Sequence, residues 1–312
     1  MKLPVIKGFA AGFAYLFTHF IDIIKGLWLP VLLLQAALIY VMPHYLGPVM
    51  QMHSVSDHPD PQAALAALRP VLGWGFLLFL STIIFYPMMQ ASVLKPLVRG
   101  EKPSLPFYLQ YGGDEFRLLF TLVLFVIMMI VVGLVSWLGA LVSAVALGAL
   151  LHKAGAIFSL FICLAIIIAV IWFMLRLSLM FAATVGARRI GLAESWRVTK
   201  RNAGLLFFYW FLWGIVLMIV GAIYAAIAMS GMSALWAQFF HDLSANMHDH
   251  AAMKSAMEDW RQSMMQYQAS LWDSSKPSFW VFQTATYFYQ IVKVAIGSVA
   301  AGVAYRFLTD GE

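Results

Sequence analysis

The chain has 312 residues, 62% of them hydrophobic and only 11% charged, and its mean hydropathy is +0.84. A typical soluble domain carries about 25% charged residues to cover its surface, so this balance excludes an ordinary soluble fold and predicts a polytopic membrane protein. The formal net charge of +6 comes with no nucleic-acid-binding motif, so it suits anionic headgroups better than RNA or DNA.

The first element in chain order is amphipathic. Phe9, Phe13, Leu16, Phe20 and Ile24 recur at steps of four, three, four and four, with Lys7, Thr18, Asp22 and Lys25 on the other side. This is the pattern of a helix lying on a membrane surface. Residues 1–26 are therefore read as a cytoplasmic elbow helix that anchors the next span. His19 and Asp22 interrupt the stretch and no cleavage site follows, which argues against a signal peptide.

Six apolar runs come next, near 27–48, 70–94, 118–145, 155–178, 205–230 and 278–304. Each meets the requirement of about 20 residues for one bilayer crossing. The third is overlong and holds Gly133, Gly139 and Gly148, so a strong tilt or a terminal interfacial piece is expected. Spans one to five and their connectors fill 27–230, an external helical loop fills 231–277, and the sixth span and a short tail fill 278–312. Basic residues gather near the N-terminus and around the segments after spans two, four and six, among them Lys95, Arg99, Lys102, Arg188, Arg189, Arg197, Lys200 and Arg201. The opposite side carries Arg69, Lys153, Lys254, Arg261 and Lys276. The positive-inside rule then puts both termini in the cytoplasm.

An internal repeat is visible. MMQASVL (88–94) aligns with MFAATVG (180–186), each followed by basic residues, a glycine (Gly100 or Gly191), a short polar segment and the next span. The fold expected is all-α: about six spans with cytoplasmic elbow helices, built from three repeated helix-pair units.

The segment RLSLMFAATVGARRIGLAESWRVTKRNAGLLFFYWF (176–211) resembles the signature of a bacterial inner-membrane group related to the membrane domain of glycerophosphodiester phosphodiesterases. Its juxtamembrane turn of G-x-x-E-S-W type is matched by Gly191, Glu194, Ser195 and Trp196. The start HFIDIIKGLWLPVLLL (19–34) and the ending AYRFL (304–308) are also similar. The resemblance implies about six spans and a bacterial inner-membrane location, and supplies no catalytic residues. The 312 residues contain no hydrolase-like soluble segment and no His-Arg pair, so phosphodiesterase chemistry is not carried over.

Three constellations could carry function. Lys293 lies deep in the sixth span, sharing a helical face with Gln283, Thr286 and Gln290. A charge in hydrocarbon is costly and marks a functional contact or a snorkelling side chain. None of the six runs contains Asp or Glu, so a partner for Lys293 would be a lipid phosphate, an anionic solute or another subunit. Arg176, at the inner boundary, and Glu194, in the following turn, form a candidate structural pair or headgroup contact. The stretch NMHDHAAMKSAM (246–257) concentrates His248, His250, Met253 and Met257, whose nitrogen and sulfur atoms suit copper. Yet His250, Met253, Met257, Trp260, Met264, Tyr267 and Leu271 also recur as a heptad stripe, which calls for a packed helix face. Packing is preferred there, and no cofactor is expected. The lone Cys163, mid-span, is read as packing and allows no intrachain disulfide.

No Gly-rich phosphate loop, closed metal motif or nucleophile–base arrangement emerges. The expected function is non-enzymatic: an accessory, scaffolding or lipid- or partner-binding membrane protein, engaging membrane lipids and a protein partner or a second copy. The alternatives are transport or binding of a small anionic or amphiphilic ligand at the Lys293 face, and copper handling by the external Met and His residues.

Overall fold

A computed structural model of the chain describes residues 2–54, 61–101, 108–151, 153–245 and 250–309. Side chains within them are described outside 46–67, 144, 146–157 and 250–251. The described residues are all-α, with no strand. The order is α1 (Val5–Thr18), α2 (Phe20–Ser54), α3 (Pro61–Arg99), α4 (Gly113–Leu151), α5 (Lys153–Leu177), α6 (Met180–Ala187), α7 (Leu192–Thr199) and α8 (Ala203–Ala228). A single 3₁₀ turn (Ser230–Met232) then leads to α9 (Ser233–Ala245), α10 (His250–Ser270) and α11 (Pro277–Thr309). Six segments are long and apolar enough to cross a membrane: Phe20–Tyr45, Leu68–Arg99, Gly113–Ser143, Phe158–Ala187, Ala203–Ala228 and Pro277–Thr309.

The expected spans and these segments overlap one for one, but the helices reach further than the apolar runs. The elbow is shorter than 1–26: α1 ends at Thr18, the chain turns at His19, and α2 begins at Phe20. Phe20 consequently leaves the expected elbow stripe and is exposed. The overlong third run is one unbroken helix, α4, whose 39 residues measure about 58 Å at the α-helical rise.

The chain folds into two compact units, 1–29 with 86–214 and 294–312, and 30–85 with 215–293. In the first unit three helix pairs share one relationship, the end of the returning helix meeting the start of the span before it. A Cβ on Gly26 of α2 would lie 3.1 Å from the Ser92 Cβ of α3. Thr121 of α4 and Thr184 of α6 share a 3.0 Å hydrogen bond. The Tyr209 hydroxyl of α8 donates to the Ala300 carbonyl of α11 at 2.8 Å. Ser92 and Thr184, the positions aligned in the repeat, are both buried. The middle pair lacks a separate described elbow helix, since α3 runs on to Arg99 and residues 108–112 are not helical.

Small residues set the spacing of this unit. Gly302 of α11 lies against Leu97, Gly186 of α6 against Tyr305, and Gly8 and Gly12 of α1 against Tyr209 and Trp213 of α8. This is the small-xxx-small device by which helices approach closely where no water drives them together. Several polar groups taken inside find partners there, as burial favours. The Ser298 hydroxyl donates to Gln90 Oε1 at 3.0 Å. Glu115 of α4 is fully buried and accepts from Lys95 Nζ (2.7 Å), the Gly112 N–H (2.8 Å) and the Tyr108 hydroxyl. Burial first, and then the bond to Glu115, push the Tyr108 hydroxyl up to about 12, so it stays a donor at physiological pH.

In the second unit, Gln35 of α2 donates to Gln283 of α11, and Gln283 in turn donates to the Leu271 carbonyl at 3.2 Å. The pair α9 and α10 closes on Trp260, whose ring lies 5.4 Å from that of Trp236 and 4.9 Å from that of Phe239. Met253, Trp260, Met264 and Tyr267 of the expected stripe are half-buried, but Met257 is 55% exposed. α9 meets α10 beside Ala256, Trp260 and Ser263, which leaves Met257 turned outward.

Candidate functional site

Arg176 and Glu194 were expected to act together, but the structure gives each its own partners. Arg176, the penultimate residue of α5, is buried. Its Nη1 donates to the Trp196 carbonyl at 3.2 Å and to Thr199 Oγ1 at 3.5 Å. Its guanidinium lies 5.2 Å from the Trp172 ring centroid and 4.6 Å from that of Trp196. Its own carbonyl accepts from the Ser195 hydroxyl at 2.8 Å. Arg176 is thus a staple fastening α7 to the end of α5, with the aromatic faces taking the place of a carboxylate, and it is too buried to meet a headgroup.

Glu194 instead pairs with Arg189 at 2.8 Å and with Arg197. Burial alone would raise its carboxyl, but the hydrogen bonds from Arg197 and Arg189 outweigh it and hold the group below the ordinary glutamate range. Gly191 makes the turn before α7 possible: its Cα faces the Met180 carbonyl and Thr184, leaving no room for a Cβ. The Gly191 N–H donates to Thr184 Oγ1 at 3.0 Å. The G-x-x-E-S-W turn therefore has a local physical role at each polar position.

What these contacts position is the segment after α7. A pocket of about 410 Å³ opens there, lined by Glu194, Arg197, Val198, Lys200, Arg201, Asn202, Leu308 and Thr309. The carboxylate among these residues, that of Glu194, is already engaged by Arg189 and Arg197. Lys200 and Arg201 are exposed and enter no ion pair with any described residue. Asn202, whose backbone carbonyl accepts the Leu206 N–H, stands at the entry of α8, and its side chain accepts the Leu3 N–H at 3.1 Å. The first N–H groups of a helix lack intrahelical acceptors and its dipole favours an anion there. Two exposed cations without an ion pair among the described residues, beside the start of a 26-residue apolar helix, can hold an anionic group where a span enters its membrane. Sequence reasoning missed this pocket because it lies between residues about a hundred positions apart, although the run Lys200-Arg201-Asn202 before a span was in view.

The Lys293 face is less polar in space than in sequence. Gln283 is buried and bonded to Gln35 and the Leu271 carbonyl. Thr286 bonds to the Phe282 carbonyl at 2.7 Å and to the Tyr224 hydroxyl at 3.1 Å. Gln290 is half-buried, and Lys293 is exposed, its Nζ 5.6 Å from the Tyr289 ring centroid. Gln283 and Thr286 are thus engaged by partners other than Lys293.

Of the candidate copper set, His248 lies outside the described residues, as does the side chain of His250. Met253 is half-buried on α10 and Met257 exposed. Among the described residues no three His, Cys, Asp or Glu side chains cluster as a metal site. No family model matches the chain, and neither curated proteins nor solved structures give a match.

Proposed function

We propose that this is a non-enzymatic membrane protein of a bacterial inner membrane that binds anionic lipid headgroups in the pocket at the start of α8. The observation that carries it is the pairing pattern there: Glu194 is taken by Arg189 and Arg197, and Lys200 and Arg201 enter no ion pair with any described residue beside a helix N-terminus at the end of a span. The excess of Lys and Arg at this end of the spans supports a cytoplasmic orientation, where anionic lipids contribute about 1 kcal/mol per basic residue. The similarity of residues 176–211 to a bacterial inner-membrane group supports the same location.

Native mass spectrometry of the gently extracted protein tests the proposal. Wild type should retain anionic phospholipid, and Lys200→Gln/Arg201→Gln should lose most of it. Two basic contacts amount to roughly 2 kcal/mol, or about 30-fold in affinity. Both side chains are exposed, so the fold is expected to survive. Equal retention by the two proteins would contradict the proposal.

A further inference from the structure

A groove of about 540 Å³ runs between α8 and α11, walled by Val220, Ile223, Ile227, Val281 and Phe288 and reaching from Trp280 to Val292. Twelve steps of helical rise, from Trp280 to Val292, make it about 18 Å long. Both walls belong to segments apolar and long enough to cross a membrane, so the groove opens onto hydrocarbon. Lys293 stands at its inner end, sixteen residues from either end of α11, about 24 Å in each direction. Side chains on a helix lean toward its N-terminus, which carries the Lys293 ammonium onto Tyr289, a residue of the groove wall. Tyr289 is itself fixed by stacking on Tyr224, with ring centroids 4.5 Å apart.

We propose that this groove and Lys293 form a docking surface for a membrane-spanning helix of another protein, one carrying an aspartate or glutamate near its middle. The case is one of charge complementarity. Lys293 makes no ion pair with any described residue, and the neighbouring Gln283 and Thr286 are bonded within their own unit. A cation on a lipid-facing helix surface is costly at this depth, and a carboxylate brought in by a partner offsets that cost while the groove packs its apolar face. A second copy of this chain cannot supply it. The carboxylates within the six candidate spans are Asp22, Asp114 and Glu115, all among the first three residues of α2 or α4, and none is near a span's middle. A second copy would bring another Lys293 instead. The partner is therefore a different chain, and the inference stands apart from the headgroup pocket.

The test uses the full chain in phosphatidylcholine vesicles with a labelled Leu/Ala spanning peptide carrying one central Asp. Energy transfer is read to an acceptor on Lys276→Cys in a Cys163→Ala background. The Asp peptide should associate about tenfold more tightly than its all-apolar twin. Lys293→Met should erase that difference, and Lys293→Asp should turn the preference to a peptide with a central Lys. No preference between Asp and Leu peptides, or one that survives Lys293→Met, would overturn the proposal. Lys293-dependent self-association, or Lys293-dependent retention of added anionic lipid without any peptide preference, would assign the groove to a second copy or to lipid and overturn it equally.

Discussion

The Nζ of Lys95, near the end of α3, lies 2.7 Å from the carboxylate of Glu115, the third residue of α4, and Glu115 is fully buried. The pair sits in a larger network in which Asp114 meets Arg99 and Arg117, and Glu101 meets Arg99 and Arg188. Removing one partner of a buried pair strands the other charge. Lys95→Met should therefore destabilise the extracted protein by about 3 kcal/mol, seen as a lower thermal midpoint. Lys95→Met/Glu115→Leu should recover part of that loss, the Tyr108 hydroxyl and the Gly112 N–H losing their acceptor in exchange. A double variant no more stable than the single would refute this account of Glu115.

The six spans were legible because each is an uninterrupted apolar run, and bilayer thickness fixes the length such a run needs. Glu115 was not, because an apolar run is taken to end at the first charge, while the helix continues through it and its partner is twenty residues away. The contact face of α1 was missed for a different reason. A periodic reading follows large apolar side chains, and Phe9 and Phe13 do flank the contact, but Gly8 and Gly12 are its buried centre. The structural role of Arg176 was hidden because its partners are two indole faces and a carbonyl, and no charge pattern announces them.

Gly12 is where that reading of α1 can be checked. A Cβ there would lie 2.6 Å from the Trp213 ring, so Gly12→Ala should destabilise by about 1–3 kcal/mol through overpacking. Gly204, in the first turn of α8, has nothing within 4 Å of its Cβ position, and Gly204→Ala should be neutral or slightly stabilising. Thermal unfolding of the two variants in one detergent provides the comparison.

On α10, Met257 departs from the expected stripe, while Met253, Trp260, Met264 and Tyr267 are half-buried. Met257 is 55% exposed, so Met257→Gln should leave stability unchanged. Trp260→Ala removes the ring that joins α10 to Trp236 and Phe239 and should cost about 2 kcal/mol, below the range for fully buried rings, because Trp260 is half-buried. Faster limited proteolysis within 233–270 in the Trp260 variant alone would bear this out.

Glu194 gives the turn before α8 a dependence on pH. Its carboxyl is held below the ordinary glutamate value in the folded protein. The pairing with Arg197 and Arg189 therefore contributes fully above the unfolded-state value of about 4.3 and is lost as pH falls through the lower folded-state value. Wild type should be more stable than Glu194→Gln near neutral pH, and the difference should shrink below about pH 4. A constant difference down to pH 3 would mean that the carboxylate charge is not what holds the turn.

The headgroup pocket is tested most directly inside a bilayer. An environment-sensitive fluorophore on Thr309→Cys in a Cys163→Ala background sits at the pocket lining. Phosphatidylglycerol is then titrated into phosphatidylcholine nanodiscs holding the protein. A saturable spectral change that Lys200→Gln/Arg201→Gln abolishes is the expected result. A change that rises without saturating, and equally in both proteins, would contradict an anion-binding pocket at the start of α8.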